Sequence, residues 1–233
     1  MGPLIQQVCL VTCLIFSPCS SASDIQKPSQ PDTPSQPDEQ ADQLLQTVDQ
    51  PTDLDVKHVH EVDVTLDVDT AHPNLLIDGK TVRWIKETPQ RLCSEKMFDE
   101  DPYVLGIMGR AWRAYWKVNV AKKDDWVLGV TKATANRKGQ LVLSPANGFW
   151  VIRLSNGGRL KAMDDKEHVL DKDIPDEVGI YLEYKEKKVT FFNVEDASHI
   201  YSFTNGPGYE DEVHPFFSPW NNDTDPIRIL SIV

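Results

Sequence analysis

NGFWVIRLSNGG, residues 147–158, sets a six-residue run, apolar but for Arg153, between two turn signals. Phe149–Leu154 reads as a buried strand. Asn147-Gly148 and Asn156-Gly157-Gly158 supply the residues that tolerate positive φ in tight hairpin turns. The same rhythm extends in both directions. Upstream lie VDVTL at 62–66, YWKVNV at 115–120, DWVLGV at 125–130 and LVL at 141–143. Downstream lie VGIYLEY at 178–184, VTFFNV at 189–194, HIYSF at 199–203 and IRILSIV at 227–233. Asp78-Gly79 and Asn205-Gly206-Pro207-Gly208 add further turn signals. No window after residue 56 carries a sustained apolar stripe at helical spacing, so the chain is read as all-β, an antiparallel sandwich or barrel whose loops carry function.

The first 55 residues have a different character. VCLVTCLIF at 8–16 is apolar throughout, but nine residues rise only about 14 Å as a helix, roughly half a bilayer core. It reads as a signal peptide spanning 1–23, although Met1–Gln7 contains no Lys or Arg. Residues 24–55 repeat PSQPD and hold eight acids against Lys27, which suits an extended, disordered linker with little to bury. Secretion is therefore expected, with a cytoplasmic location as the alternative.

Of 233 residues, 24 are Lys or Arg and 36 are Asp or Glu, a net charge of −12. The linker accounts for −7 of it, leaving −5 on residues 56–233. That balance argues against nucleic-acid or anionic-membrane binding, which need clustered cations. Cys9, Cys13 and Cys19 fall in the apolar leader, so Cys93 stands alone and neither a disulfide framework nor a zinc cluster is available. No P-loop, dinucleotide fingerprint or nucleophile elbow occurs, so neither an enzyme nor a cofactor is expected. His58, His60 and Glu61 lack a further metal ligand nearby, and Asp67 and Asp69 lack the glycine and distal glutamate of a calcium loop.

Several blocks together resemble the B30.2 family, a PRY segment joined to a SPRY domain, found in tripartite-motif ubiquitin ligases, butyrophilins and fish NOD-like receptors. They are LDVDTAHPNLLI at 66–77, VRW at 82–84, VLG at 104–106, GRAWRAYWKVNV at 109–120, WVLGV at 126–130, RKG at 137–139, LSPANGFWVIRL at 143–154, VTFFNVEDASHIYSFT at 189–204 and PFFSPW at 215–220. The resemblance implies a PRY segment at 56–100, a SPRY segment at 101–233, and a bent antiparallel β-sandwich of jelly-roll type whose loops bind protein. It implies no catalysis, and the RING, B-box, coiled-coil and immunoglobulin parts of such proteins are missing here. The chain writes WKVNV where the family commonly has WEVEV, and Cys93–Asp101 forms a longer insert. Positions matching the basic pocket of phosphoantigen-sensing butyrophilins are Asp101, Val127, Val142 and Lys161, so that activity does not transfer.

The expected contact set joins Trp112 and Trp220 beside turns, Lys132, Asn136, Arg137 and Lys138 in a basic loop, Trp150 and Arg153 on the central run, and Tyr209 in the acidic loop GPGYEDEVH. Trp116 and Trp126 are expected in the core, and Lys122 and Lys123 are expected to join the basic loop in one cluster. Asn222-Asp223-Thr224 is the one glycosylation triplet. The chain is read as a monomeric, secreted, immune-related or toxin-like module that binds a protein partner. Its alternatives are an intracellular fragment of a tripartite-motif or butyrophilin-like protein and a glycan-binding sandwich.

Overall fold

The computed structural model describes residues 60–87 and 94–232. The leader, the linker, His58 and Cys93 lie outside the described residues.

Among the described residues, fourteen strands form two seven-stranded sheets. The first runs β1 (Val64–Asp67), β4 (Val104–Met108), β13 (Val213–Ser218), β6 (Trp126–Lys132), β7 (Phe149–Leu154), β8 (Lys161–Met163), β9 (Glu167–Val169). The second runs β12 (His199–Phe203), β11 (Lys188–Asn193), β10 (Glu177–Glu183), β5 (Arg113–Asn119), β14 (Ile227–Ile229), β3 (Thr81–Trp84), β2 (Leu75–Asp78). Neighbouring strands pair antiparallel throughout. A single 3-10 turn, Pro145–Asn147, is the one helical element among the described residues, and none of them forms a helix long and apolar enough to cross a membrane.

Alternation along each strand decides what goes inside. Trp150, Ile152 and Leu154 of β7, Trp116 and Val118 of β5, and Trp126, Leu128 and Val130 of β6 fill the space between the sheets. Phe149 and Val151 point the other way, where they join Phe98, Tyr103, Leu105, Val127, Leu143 and Phe216 in a second apolar layer on the outer face of the first sheet. Phe216 packs edge-on against Phe98 at 5.8 Å and against Phe149 at 5.4 Å. Each such pair contributes about 0.5–1.5 kcal/mol beyond its buried area. LVL at 141–143, read from sequence as a strand, is not one. It lies in the long β6–β7 loop, where Leu141 and Leu143 pack on this outer layer.

Register fixes which loops share an end. Trp126 pairs with Leu154, and Val127 with Ser218, so loops 121–125, 155–160 and 219–226 gather at the Trp126 end. At the other end Lys132 pairs with Val213 and Arg113 with Glu183, which gathers loops 109–112, 133–148, 184–187 and 204–212.

Candidate binding surfaces

At the Trp126 end, Arg153 closes the outward-facing series Phe149, Val151, Arg153 on β7. Its guanidinium carbon lies 4.2 Å from the ring centroid of Trp220, while its Nε is buried without a hydrogen-bond partner among the described residues. Trp220 sits at φ 56°, a left-handed conformation that is strained for a bulky side chain. Its N–H donates to Ser218 Oγ at 3.1 Å. Tyr103 packs 6.5 Å from Trp220, and burial, then the negative charge of Asp101, pushes its phenol well above the usual range against the opposing pull of Arg153.

At the Lys132 end, Tyr209 stacks on Trp112 with ring centroids 3.6 Å apart and planes 17° from parallel. The Arg110 guanidinium lies 4.4 Å from the Tyr209 ring and donates to the Tyr209 carbonyl, and Tyr184 meets the same ring edge-on at 5.4 Å. Trp112 stays 36% exposed, an indole stacked on Tyr209, which Arg110 and Tyr184 hold in turn. Lys132 Nζ pairs with Asp211 at 2.9 Å. Burial opposes ionisation of Asp211, but Lys132, the Gly208 N–H and Lys187 outweigh it and hold the carboxyl below its usual range.

The expected contact set therefore divides between two opposite ends. Trp112, Lys132 and Tyr209 share one, Arg153 and Trp220 the other. Trp150 is 2% exposed and its indole N–H donates to the Asn205 carbonyl at 3.0 Å, so its role is support beneath Lys132. Asn136, Arg137 and Lys138 are turned to internal work. Asn136 bonds the Lys138 backbone in both directions, Arg137 donates to the Lys96 carbonyl at 3.1 Å, and Lys138 Nζ donates to the carbonyls of Ser94 and Met97, both at 2.9 Å. They pin the segment leading into the SPRY portion onto the β6–β7 loop.

The single basic cluster does not assemble. Lys122 and Lys123 precede β6 and the basic loop follows it, and a seven-residue strand holds its ends about 20 Å apart. Lys123 is also buried. Trp116 and Trp126 occupy the core as expected. Arg110, Tyr184 and Tyr103 were not anticipated, because their roles arise from partners far along the chain. Of the positions compared with the butyrophilin pocket, Val127 is buried, Val142 is exposed and Lys161 pairs with Glu167 at 2.9 Å, so they form no basic pocket. His60 is buried beside Tyr181, 6.1 Å between ring centroids. The Asn222 side chain donates to Asp125 at 2.7 Å.

Comparison with known proteins places this geometry in a family. The SPRY domain model matches residues 113–227. Human butyrophilin subfamily 1 member A1 is 36% identical over 178 residues, covering 75% of this chain and 34% of that protein. Human pyrin is 36% identical over 181 residues, covering 74% of this chain and 23% of that protein. The chain thus spans about a third or less of these relatives. Among solved structures, the TRIM65 PSpry domain superposes with TM-score 0.65 at 17% identity, covering 79% of this chain and 99% of that one. Stonustoxin gives 0.66 at 17%, covering 76% and 30%. Two antiparallel sheets, family motifs in order from 66 to 220, and this level of identity have one reading: the chain belongs to the B30.2 (PRY/SPRY) domain family.

Proposed function

We propose that this domain is a non-catalytic protein-binding module whose principal contact face is the Arg153–Trp220 corner of the first sheet. The observation that carries the reading is the buried Arg153 Nε with no acceptor among the described residues, on a guanidinium laid over a tryptophan held at positive φ. A buried donor left unsatisfied costs about 1–3 kcal/mol, and a partner carboxylate or carbonyl that shifts the Trp220 ring aside would supply the missing acceptor. Trp and Arg are also the residue types that dominate binding hot spots.

The Trp112–Tyr209 stack supports a second contact face, because a rigid aromatic presented at low entropic cost suits either a protein surface or a sugar ring. The apolar run at 8–16 supports secretion, and the immune-related or toxin-like role that the family resemblance implies is kept as part of this reading.

Affinity capture with the full chain tests the assignment, performed in parallel with Arg153→Ala/Trp220→Ala and Trp112→Ala/Tyr209→Ala variants of matched thermal stability. The first variant is expected to lose the captured proteins. Equal capture by wild type and the Arg153/Trp220 variant refutes this face, and loss confined to the Trp112/Tyr209 variant moves the site to the other end.

A further inference from the structure

The loop that follows Trp220 carries Asn222-Asp223-Thr224, and its first two residues both serve buried partners. Asn222 Nδ2 donates to Oδ2 of Asp125 at 2.7 Å, and Asp125 is 3% exposed. Asp223 pairs with the ammonium of Lys123, whose side chain is 0% exposed, and Asp223 Oδ1 also accepts the Asp225 N–H at 2.9 Å. The Asp124 carbonyl between these partners accepts the Gly157 N–H at 2.8 Å, which ties the 121–125 loop to the neighbouring hairpin. Residues 123–125 and 222–225 thus form one latch with complementary polar groups on each side.

We infer that Asn222 can accept an N-linked glycan only while this latch is open, and that the folded domain withholds it. Glycosylation joins Nδ2 to the anomeric carbon of a sugar carried on a lipid pyrophosphate. The bond from that carbon to the pyrophosphate oxygen breaks, and one amide proton leaves. The nitrogen that would form this bond is the one held against Asp125. Drawing the triplet into a separate active site also removes Asp223 from Lys123, leaving an ammonium and a carboxylate buried without their partners, a state proteins avoid strongly. Asn222 is itself exposed, so surface accessibility alone gives the opposite expectation. The inference does not depend on where the domain binds a partner.

The test adds purified oligosaccharyltransferase and a lipid-linked oligosaccharide donor to the folded, glycan-free full chain made in bacteria and measures the mass change on treatment with peptide N-glycosidase. Wild type is expected to be occupied on a small minority of molecules, with Asp125→Ala raising that fraction several-fold. Occupancy of most wild-type molecules overturns the inference. So does low occupancy that Asp125→Ala leaves unchanged while that variant still melts cooperatively. If Asp125→Ala does not fold, glycan-free bacterial protein decides the matter. There Asn222→Asp, which sets a second carboxylate against Asp125, is expected to lower Tm, while Thr224→Ala, which removes the triplet and keeps the latch, leaves it unchanged. Equal Tm for wild type and Asn222→Asp overturns the inference.

Discussion

The guanidinium carbon of Arg153 lies 4.2 Å above the Trp220 ring, and the contact costs the fold something at both residues. Arg153 has a buried donor without an acceptor among the described residues, and Trp220 adopts a left-handed backbone that glycine would take without strain. These two locally unfavourable features meet at the corner proposed as the contact face.

Arg153→Leu separates those roles. Removing the unsatisfied Nε recovers about 1–3 kcal/mol, while losing the cation–aromatic contact costs about 0.5–1 kcal/mol. The variant is expected to be at least as stable as wild type in urea denaturation, by about 1 kcal/mol on balance, and to have lost partner binding. A clear fall in the denaturation midpoint would show that Arg153 is a structural residue.

Lys138 gives the opposite expectation. Its ammonium caps the carbonyls of Ser94 and Met97, so it fastens one loop to another. Lys138→Ala is expected to cost about 1–2 kcal/mol, at the low end for a half-exposed charged hydrogen bond, and to speed proteolysis near residues 94–97. Binding should be unchanged. A stable variant with weakened binding would return Lys138 to the contact surface.

Much of this architecture is legible in the sequence. FWVIRL and HIYSF coincide with β7 and β12, because apolar side chains on both faces or in alternation leave little freedom of register. β8 and β9 escape, being three residues each, with β9 exposed at every position, so no apolar pattern marks them. LVL misleads because an apolar triplet serves as well in a loop lying on an outer apolar layer. The candidate contact residues are legible by type but not by place. Residues 122–123 and 132–138 look adjacent in sequence, yet β6 holds them at opposite ends, and the role of Arg110 depends on Tyr209, 99 positions away.

Gly129 tests the packing between β6 and β7. A Cβ built there would sit 2.1 Å from the Trp150 carbonyl oxygen and 2.8 Å from the Val151 Cα, both backbone atoms that cannot swing aside. Gly129→Ala should therefore cost about 3 kcal/mol or more through forced separation of the strands, read as a drop in urea midpoint with an unchanged m-value. A change under about 1 kcal/mol would mean the strands separate at this point without penalty.

His72 contributes to the loss of stability in acid. Burial lowers its pKa, partly offset by Asp101 and Asp99, and its Nδ1 accepts the Asn74 N–H at 3.1 Å, a role open only to the neutral ring. The unfolded chain takes up a proton near pH 6.5 that the folded one resists, so this contribution is complete above that pH and falls away as the pH drops below it. His72→Gln is expected to flatten the loss of urea stability between pH 7 and about 5. An unaltered slope would show that His72 does not control it.

Alkaline pH probes the other limit. Burial, then Glu61 and Glu177, pushes Tyr115 up to about 12, and burial pushes Tyr103 and Tyr184 higher still. All three phenols stay protonated in the folded state after the unfolded chain has begun to ionise near pH 10. Their contribution is therefore fully present below pH 10 and declines as pH rises toward each folded value. Tyr201, pushed up to about 12 by burial and by Asp164, adds to the same fall in stability above pH 10. Tyr115→Phe removes one of these groups, so its loss of stability between pH 10 and 12 should be shallower than that of wild type. Urea midpoints measured across the range, with absorbance at about 295 nm following phenolate formation, read both quantities. Ionisation of all six tyrosines near pH 10 without unfolding would show that the buried phenols reach solvent in the native state.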